Sequence, residues 1–454
     1  MFQTVTAPTG VWRGRVTGDV TVFHGIQYAR ADRFAPPQRC EPQLQHLVEV
    51  PEPGPIAPQS PSRLEGVMGA PSSLKQSEAC LTVTVTTPHL AQPGSLPVLV
   101  WLHGGAFLSG SGAWEQYGAE QLVRETGIVV VSVNYRLGVL GYLCAPGISS
   151  GNLGLLDQIT ALEWVRDNIE AFGGDNGRVT LDGQSAGAHS IVAMLGIDRA
   201  RSLFSRAIIQ SAPLGLGFHS VEQARRAAEI FEEELGSDPR RAVVTDILAA
   251  QARTAHRLAG RGAMNSAPPF LPVHGMAPLP FVGEWNGKVA ANAARRKILI
   301  GNTRDEMAAF FGPHPVFSAM RRVPLAGPQL AGAIQRRVQK VVFDNPVQEF
   351  ADRFASAGAS VWRYGIGPLH PDNPFGACHC IDIPLLFGDG DTWRDAPMLR
   401  PLSPKEIGES GTRTRRYWGE FVHTGRISDP AWPMHRPKSR YAHLLTDETI
   451  GGSA

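Results

Sequence analysis

Nowhere in the chain does an apolar run approach the roughly 18 residues needed to cross a bilayer, so no membrane-spanning helix is expected. The opening Met1-Phe2-Gln3-Thr4-Val5-Thr6 has no basic segment ahead of an apolar core. That is unlike a secretory leader, and a cytoplasmic location is expected. Cysteine is scarce. The five present, Cys40, Cys80, Cys144, Cys378 and Cys380, cannot all pair, and their spacing is not that of a disulfide scaffold. A dominant charge is lacking too, since 43 basic and 41 acidic side chains leave a formal +2. The clustered cations, Arg321-Arg322 and Arg413-Thr414-Arg415-Arg416, read as solvated helix faces, and no nucleic-acid partner is expected. Cys378-His379-Cys380 has the look of a metal site, yet no second Cys/His cluster supplies the remaining ligands of a structural zinc. No metal and no cofactor are implied.

Hydrophobic residues, in contrast, make up 43% of the chain's 454 residues, enough for a large buried core. Short strands are expected at Val11–Val16 and Val20–Ile26, followed by an irregular proline-rich stretch from Pro51 to Pro71. Leu81–Thr86 alternates apolar and polar residues as a half-buried strand does. Val98–Leu102 and Ile128–Val133 are continuous apolar runs, which suits strands covered on both faces. Leu155, Leu156, Ile159, Leu162, Val165, Ile169 and Phe172 fall at helical spacing, and Gly173-Gly174 ends that helix. Strands are expected again at 179–182, 207–210, 297–301 and 361–364. Strands and helices in alternation predict a mostly parallel, doubly wound sheet. Helical insertions over about 220–295 and 310–358 are expected to cap its carboxyl edge, all within a single domain spanning 1–454.

The most informative segment is Gly183-Gln184-Ser185-Ala186-Gly187, set between the apolar Val179-Thr180-Leu181 and a helix-like run beginning at Ala186. This is G-x-S-x-G in its strand–turn–helix context. Side chains at 183 or 187 would strike the neighbouring backbone, so glycine is needed to thrust the Ser185 hydroxyl out of the turn. The helix N-terminus then aims N–H groups at the place where negative charge develops. His103-Gly104-Gly105-Ala106-Phe107 follows the strand 98–102, where bare glycines let Gly104 and Gly105 turn N–H groups toward a substrate oxygen; Ala186 N–H is the third donor.

A base and an acid must complete such a site, in the chain order serine, acid, histidine. Late histidines are His314, His370, His379, His423, His435 and His443. His379 is best placed, in a loop between the strand at 361–364 and the apolar Ile383–Phe387. The acid belongs after the strand at 297–301, and spacing does not choose between Asp305 and Glu306.

Ordered blocks along nearly the whole chain carry a resemblance that does choose. They include Phe23-His24-Gly25-Ile26-Gln27-Tyr28-Ala29 with Arg33-Phe34, Glu78-Ala79-Cys80-Leu81, Asn134-Tyr135-Arg136-Leu137-Gly138 and Gly151–Gln158. Trp164–Ile169, Phe172-Gly173-Gly174-Asp175, Gln210-Ser211, Asp305-Glu306 and a tail of Trp418, Phe421, Thr424-Gly425 and Trp432-Pro433 continue them. The chain resembles the type-B carboxylesterase/cholinesterase family of α/β-hydrolases, in the manner of the bacterial p-nitrobenzyl esterases. The resemblance implies Ser185 as nucleophile, Glu306 as acid and His379 as base, with Gly104, Gly105 and Ala186 as the oxyanion hole. It also implies ion pairs of Arg33 with Glu78 and of Arg136 with Asp157.

Three departures matter. Gln184 stands where the family usually has glutamate, which weakens any attraction for cationic alcohols. Ala57 stands where many relatives carry the partner of Cys80, leaving that thiol unpaired. Met307 replaces the glycine that usually follows the acid. The expected activity is a serine carboxylesterase acting on uncharged, moderately hydrophobic esters through an acyl-enzyme, as a monomer. Phe107, Gln184, Ser211, Phe310 and Phe311 are the expected pocket residues. Two other readings remain on the same scaffold: an amide or carbamate hydrolase, and a catalytically dead interaction module.

Overall fold

A computed structural model describes residues 1–49, 52–260, 268–324 and 326–446. Pro51, parts of both expected insertions and the last stretch of the expected domain lie outside the described residues. The strands build one large sheet. In spatial order they are Phe2–Ala7, Gly10–Thr17, Val20–Gln27, Thr82–Pro88, Val129–Val133, Leu96–Leu102, Gly174–Gln184, Arg206–Gln210, Lys297–Thr303, Ser360–Ile366 and His443–Leu444. Gln43–Glu49 adds a parallel partner to Gly10–Thr17. The first four neighbouring pairs are antiparallel, and every pair from Val129–Val133 onward is parallel. The parallel half follows from its connections, because successive strands there are joined by long, mostly helical crossovers.

Period-two alternation divides the core between the sheet's faces. Val98, Val100 and Leu102 join the apolar cluster on one side, and Leu99 and Trp101 join the other. Both faces are covered, so Val129–Val133 is buried at every residue, as its continuous apolar sequence implies. The helix expected from 155 runs over Leu153–Asn168 and tightens into a 3-10 turn through Phe172, where Gly173 at φ 94° ends it. An edge strand that the sequence reading omits, Phe2–Ala7, folds back on Gly10–Thr17 as a hairpin.

The first insertion contains helices Val221–Leu235, Val244–Ala259 and Val282–Asn292, with irregular chain over the described residues 268–281 between the last two. Its first helix carries a capping box, Ser220 Oγ accepting from Gln223 N–H while the Gln223 side chain accepts from Ser220 N–H. The second insertion contains Pro315–Arg321, Ala326–Gln339 and Asn345–Ser356, the last two joined by a π-helical turn over Lys340–Asp344. No described helix is long and apolar enough to cross a membrane.

The two expected ion pairs both form, joining segments apart in the chain. Arg136 grips Asp157 through Nε and a terminal nitrogen at 2.8 and 2.7 Å, both side chains buried. Arg33 grips Glu78 at 2.9 and 2.5 Å and also donates to the Ala242 carbonyl at 2.6 Å. Breaking the buried pair by removing one partner leaves an uncompensated charge, a loss of about 3–5 kcal/mol.

Candidate active site

The site forms where the parallel strands end. Strand Gly174–Gln184 passes through Ser185 into helix Ala186–Met194, and Ser185 holds φ 56° with ψ −116°. Such a backbone is strained for any residue with a side chain, and the surroundings must enforce it. They do so by close approach. A Cβ on Gly187 would lie 1.9 Å from the Leu102 carbonyl oxygen, and one on Gly183 would lie 2.8 Å from Gly187. The small residues therefore let helix, elbow and the neighbouring strand touch backbone to backbone, leaving Ser185 at the crest.

Beside the elbow, the 103–110 loop takes an unusual path, with Gly105 at φ 107°, Ala106 at 58° and Phe107 at 60°. Three contacts hold it there. His103 stacks on Tyr135 with ring centres 4.4 Å apart, while Tyr135 Oη–H donates to the His103 carbonyl at 2.7 Å. Gln59, a buried residue, accepts from Gly110 N–H at 2.7 Å and donates to the Gly110 and Ala57 carbonyls at 3.0 Å each. Gly138 N–H donates to the Phe107 carbonyl at 2.6 Å. The N–H groups of Gly104, Gly105 and Ala186 hydrogen-bond to no described residue. Burial lowers the His103 pKa to about 4, so this imidazole is neutral and serves packing.

His379 and Glu306 meet across two loops. Glu306 Oε2 lies 2.5 Å from His379 Nδ1, its Oε1 accepts Thr303 N–H at 2.8 Å, and its carbonyl accepts His379 N–H at 3.3 Å. Both side chains are buried. With Nδ1–H turned to the carboxylate, Nε2 is the accepting nitrogen, and the Gln184 amide nitrogen stands 3.2 Å from it. Phe310 and Phe343 flank the imidazole with ring centres 5.2 and 5.5 Å away. Asp305, the rival carboxylate, turns to the surface side instead, where it accepts Ala377 N–H at 3.0 Å. The other late histidines serve elsewhere. His314 caps a helix, His370 accepts from Asp372 N–H, His423 meets the Thr126 carbonyl, His435 meets Asp352 and His443 stacks on Trp432.

Ser185, Ala186, Gly104, Gly105, Gln184 and His379 all line one cavity of about 300 Å³. Its walls are mostly apolar: Phe107, Leu108, Pro213, Leu216, Leu271, Met307, Phe310, Val342 and Phe343. Arg63 and Glu65 are the charged side chains on the wall, both from the 60–71 loop. Two expected pocket residues do not reach it. Phe311 is one residue beyond Phe310 on the helical turn Ala308–Phe311, about 100° around the axis, and it stacks on Phe317 at 4.3 Å in the apolar cluster whose Met307, Val342 and Phe343 do line the cavity. Ser211 is buried after strand Arg206–Gln210, its N–H donating to the Gly301 carbonyl at 2.9 Å. Its side chain is buried and is not part of the cavity lining.

Cys378 and Cys380 flank His379 in sequence, and burial raises the pKa of both thiols. Protonated thiols are poor metal ligands. Among the described residues no group of three or more His, Cys, Asp or Glu side chains is arranged to hold a metal ion. Sequence reasoning missed Gln59 and the 60–71 wall, for which no local pattern exists. Met307 was visible only as a departure after the acid; it is helical in backbone, fully buried and part of the cavity wall.

A strained serine elbow, a buried imidazole–carboxylate pair and unpaired N–H groups around one apolar cavity define a hydrolase of acyl compounds. Comparison with known proteins narrows that class. A model of the carboxylesterase family matches residues 2–314, and the chain belongs to that family. It is 33% identical to a phenmedipham hydrolase of Pseudarthrobacter oxydans, across 87% of this chain and 84% of that protein. It is 30% identical to a para-nitrobenzyl esterase of Bacillus subtilis (strain 168), across 98% of this chain and 95% of that one. A solved thermophilic PNB esterase superposes with a TM-score of 0.82 at 30% identity, covering 98% of this chain and 96% of its own. The fold is the α/β-hydrolase fold, and the chain is a carboxylic ester hydrolase.

Proposed function

We propose that Ser185, His379 and Glu306 are the catalytic triad and that Gly104, Gly105 and Ala186 supply the oxyanion hole. Ser185 Oγ attacks the ester carbonyl carbon as His379 Nε2 takes its proton. Glu306 holds the imidazole with Nδ1–H inward and stabilises the imidazolium that forms. The carbonyl oxygen, now an alkoxide, accepts from the three backbone N–H groups; losing one such donor costs about 10²–10³ in turnover. The tetrahedral intermediate collapses, the alcohol leaves with the proton from His379, and water repeats the cycle on the acyl-enzyme.

The observation that carries this reading is the 2.5 Å contact of His379 Nδ1 with Glu306 Oε2, on the cavity that also holds the Ser185 elbow. The mostly apolar wall and the neutral Gln184 support uncharged, moderately hydrophobic esters as substrates. In this reading the two helical insertions roof the sheet's edge as a cap within one catalytic domain, and the protein acts as a monomer. Five free cysteines support a reducing, cytoplasmic setting. Ser185→Ala is the test. Hydrolysis of p-nitrophenyl butyrate and labelling by a fluorophosphonate probe should both vanish; turnover that survives the substitution overturns the mechanism.

A further inference from the structure

One group on the cavity wall has no part in that mechanism. His189 lies four residues beyond Ser185 on helix Ala186–Met194, hence on the same helix face and about one turn, ~5.4 Å, further along. It is 1% exposed and lines the cavity. Its ring stacks on Phe218 with centres 4.4 Å apart and leans against Phe107 at 6.2 Å. Burial, helped by the nearby His274, pulls the His189 pKa down to about 3, so the ring is neutral and carries one N–H donor and one accepting nitrogen. Nδ1 is enclosed without a hydrogen-bond partner, and the ring makes no other hydrogen bond to a described residue.

An unmatched imidazole is an expensive thing to keep in an apolar wall. Two other polar side chains that line the cavity are already engaged: Gln251 Oε1 accepts Val139 N–H at 2.8 Å, and the Gln116 amide donates to the Met68 carbonyl at 3.4 Å. Gln184 Oε1 is also unmatched, but that side chain stands against His379 at the reacting centre. The two ends of the substrate are separated by the chemistry. On the triad reading a leaving alcohol takes its proton from His379, which Phe310 and Phe343 flank. The acyl chain, pinned on that reading by its carbonyl oxygen at Ala186, is then assigned to the side of the cavity lined by His189.

Resting on the triad reading above, we infer that His189 is a specificity-determining residue. It hydrogen-bonds a neutral polar atom, an ether, hydroxyl or carbonyl oxygen, about four bonds along the acyl chain from the scissile carbonyl. The preferred substrates are then esters of oxygenated acids rather than plain fatty acids.

The test compares p-nitrophenyl 4-methoxybutanoate with p-nitrophenyl hexanoate, acyl chains of equal length that differ by one oxygen for one methylene. The readout is the ratio of their kcat/KM values, in which the amount of active enzyme cancels. The ratio should fall about 3- to 10-fold in His189→Phe, which keeps the stack on Phe218 but has no ring nitrogen. His189→Met should lower it similarly should the Phe variant fold poorly. An unchanged ratio in the folded variants overturns the inference. So does a shift seen only when the ether oxygen is moved to the alcohol half of a matched ester pair. Failure of the triad reading would show separately, as activity of Ser185→Ala toward both esters.

Discussion

The floor of the cavity and its walls are built by different physics. The floor is the 103–110 loop and the strand–elbow–helix turn at 183–187, with the His379–Glu306 pair beside them. Backbone meets backbone there, strained dihedrals are enforced by close approach, and side-chain freedom is nearly absent. The walls at 60–71 and 307–343 are held by side-chain packing, partly through a small cluster around Met307, Phe311, Phe317 and Phe343. On the second insertion Val316, Val323, Leu330 and Val341 stay more than half exposed. A floor of this kind fixes where a reaction happens, and walls of this kind decide what fits. Changes to the floor should therefore act on kcat, and changes to the walls on KM.

The sharpest way to break this division is at the floor's acid. Glu306→Gln should lower kcat by about 10⁴-fold, because an amide cannot hold Nδ1–H inward and stabilise the imidazolium. Asp305→Asn keeps an acceptor for Ala377 N–H and should cost less than about 1 kcal/mol of stability, with kcat within tenfold of the parent, ~10-fold being the upper bound. Steady-state rates on p-nitrophenyl butyrate separate the two. Equal losses at both positions would mean that neither carboxylate is dedicated to the imidazole.

Next in size is Gln59, which lies outside the floor in sequence but inside it in function. Gln59→Ala removes three hydrogen bonds, one to the Ala57 and two to the Gly110 backbone, and strands the buried Gly110 N–H. Stability should fall by about 1–3 kcal/mol, readable as a lower urea midpoint. If the loop's N–H groups shift by as much as 1 Å, kcat should drop about 10²-fold with KM little changed. A rise in KM at constant kcat would place Gln59 among the walls instead.

Much of the floor was legible in the sequence because its glycines fall in compact patterns, Gly183 to Gly187 and His103-Gly104-Gly105, next to apolar runs that declare the buried strands. The contacts that demand those glycines are partly distant: Gly187 meets Leu102, and Gly104 meets Gln184 and Ser185. The walls were not legible in the same way. Whether Phe310 or Phe311 faces the cavity depends on the rotation of a four-residue helical turn, which is set by what packs behind it. Gln59 carries no pattern because its partners are backbone atoms, one at Ala57 and two at Gly110 about fifty residues away. Spacing left Asp305 and Glu306 equivalent; only the family resemblance preferred Glu306, and the fold turns that side chain inward and its neighbour outward. Phe2–Ala7 escaped for another reason, since an edge strand needs no continuous apolar run.

The neighbouring phenylalanines offer the finest test, because the same truncation falls on two different jobs. Phe310→Ala opens the wall beside His379 and should raise KM for a hexyl ester by less than about tenfold, under ~1.4 kcal/mol, with kcat for the matching methyl ester nearly unchanged. Phe311→Ala removes a buried ring stacked on Phe317 and should cost about 3–5 kcal/mol in stability, read by urea unfolding, while KM stays close to the parent value. The effect on substrate choice is small in the first and absent in the second. If Phe311→Ala changes the alcohol-length profile as much as Phe310→Ala does, the satellite cluster transmits its packing to the cavity. The wall would then extend one layer deeper than the residues that touch the substrate.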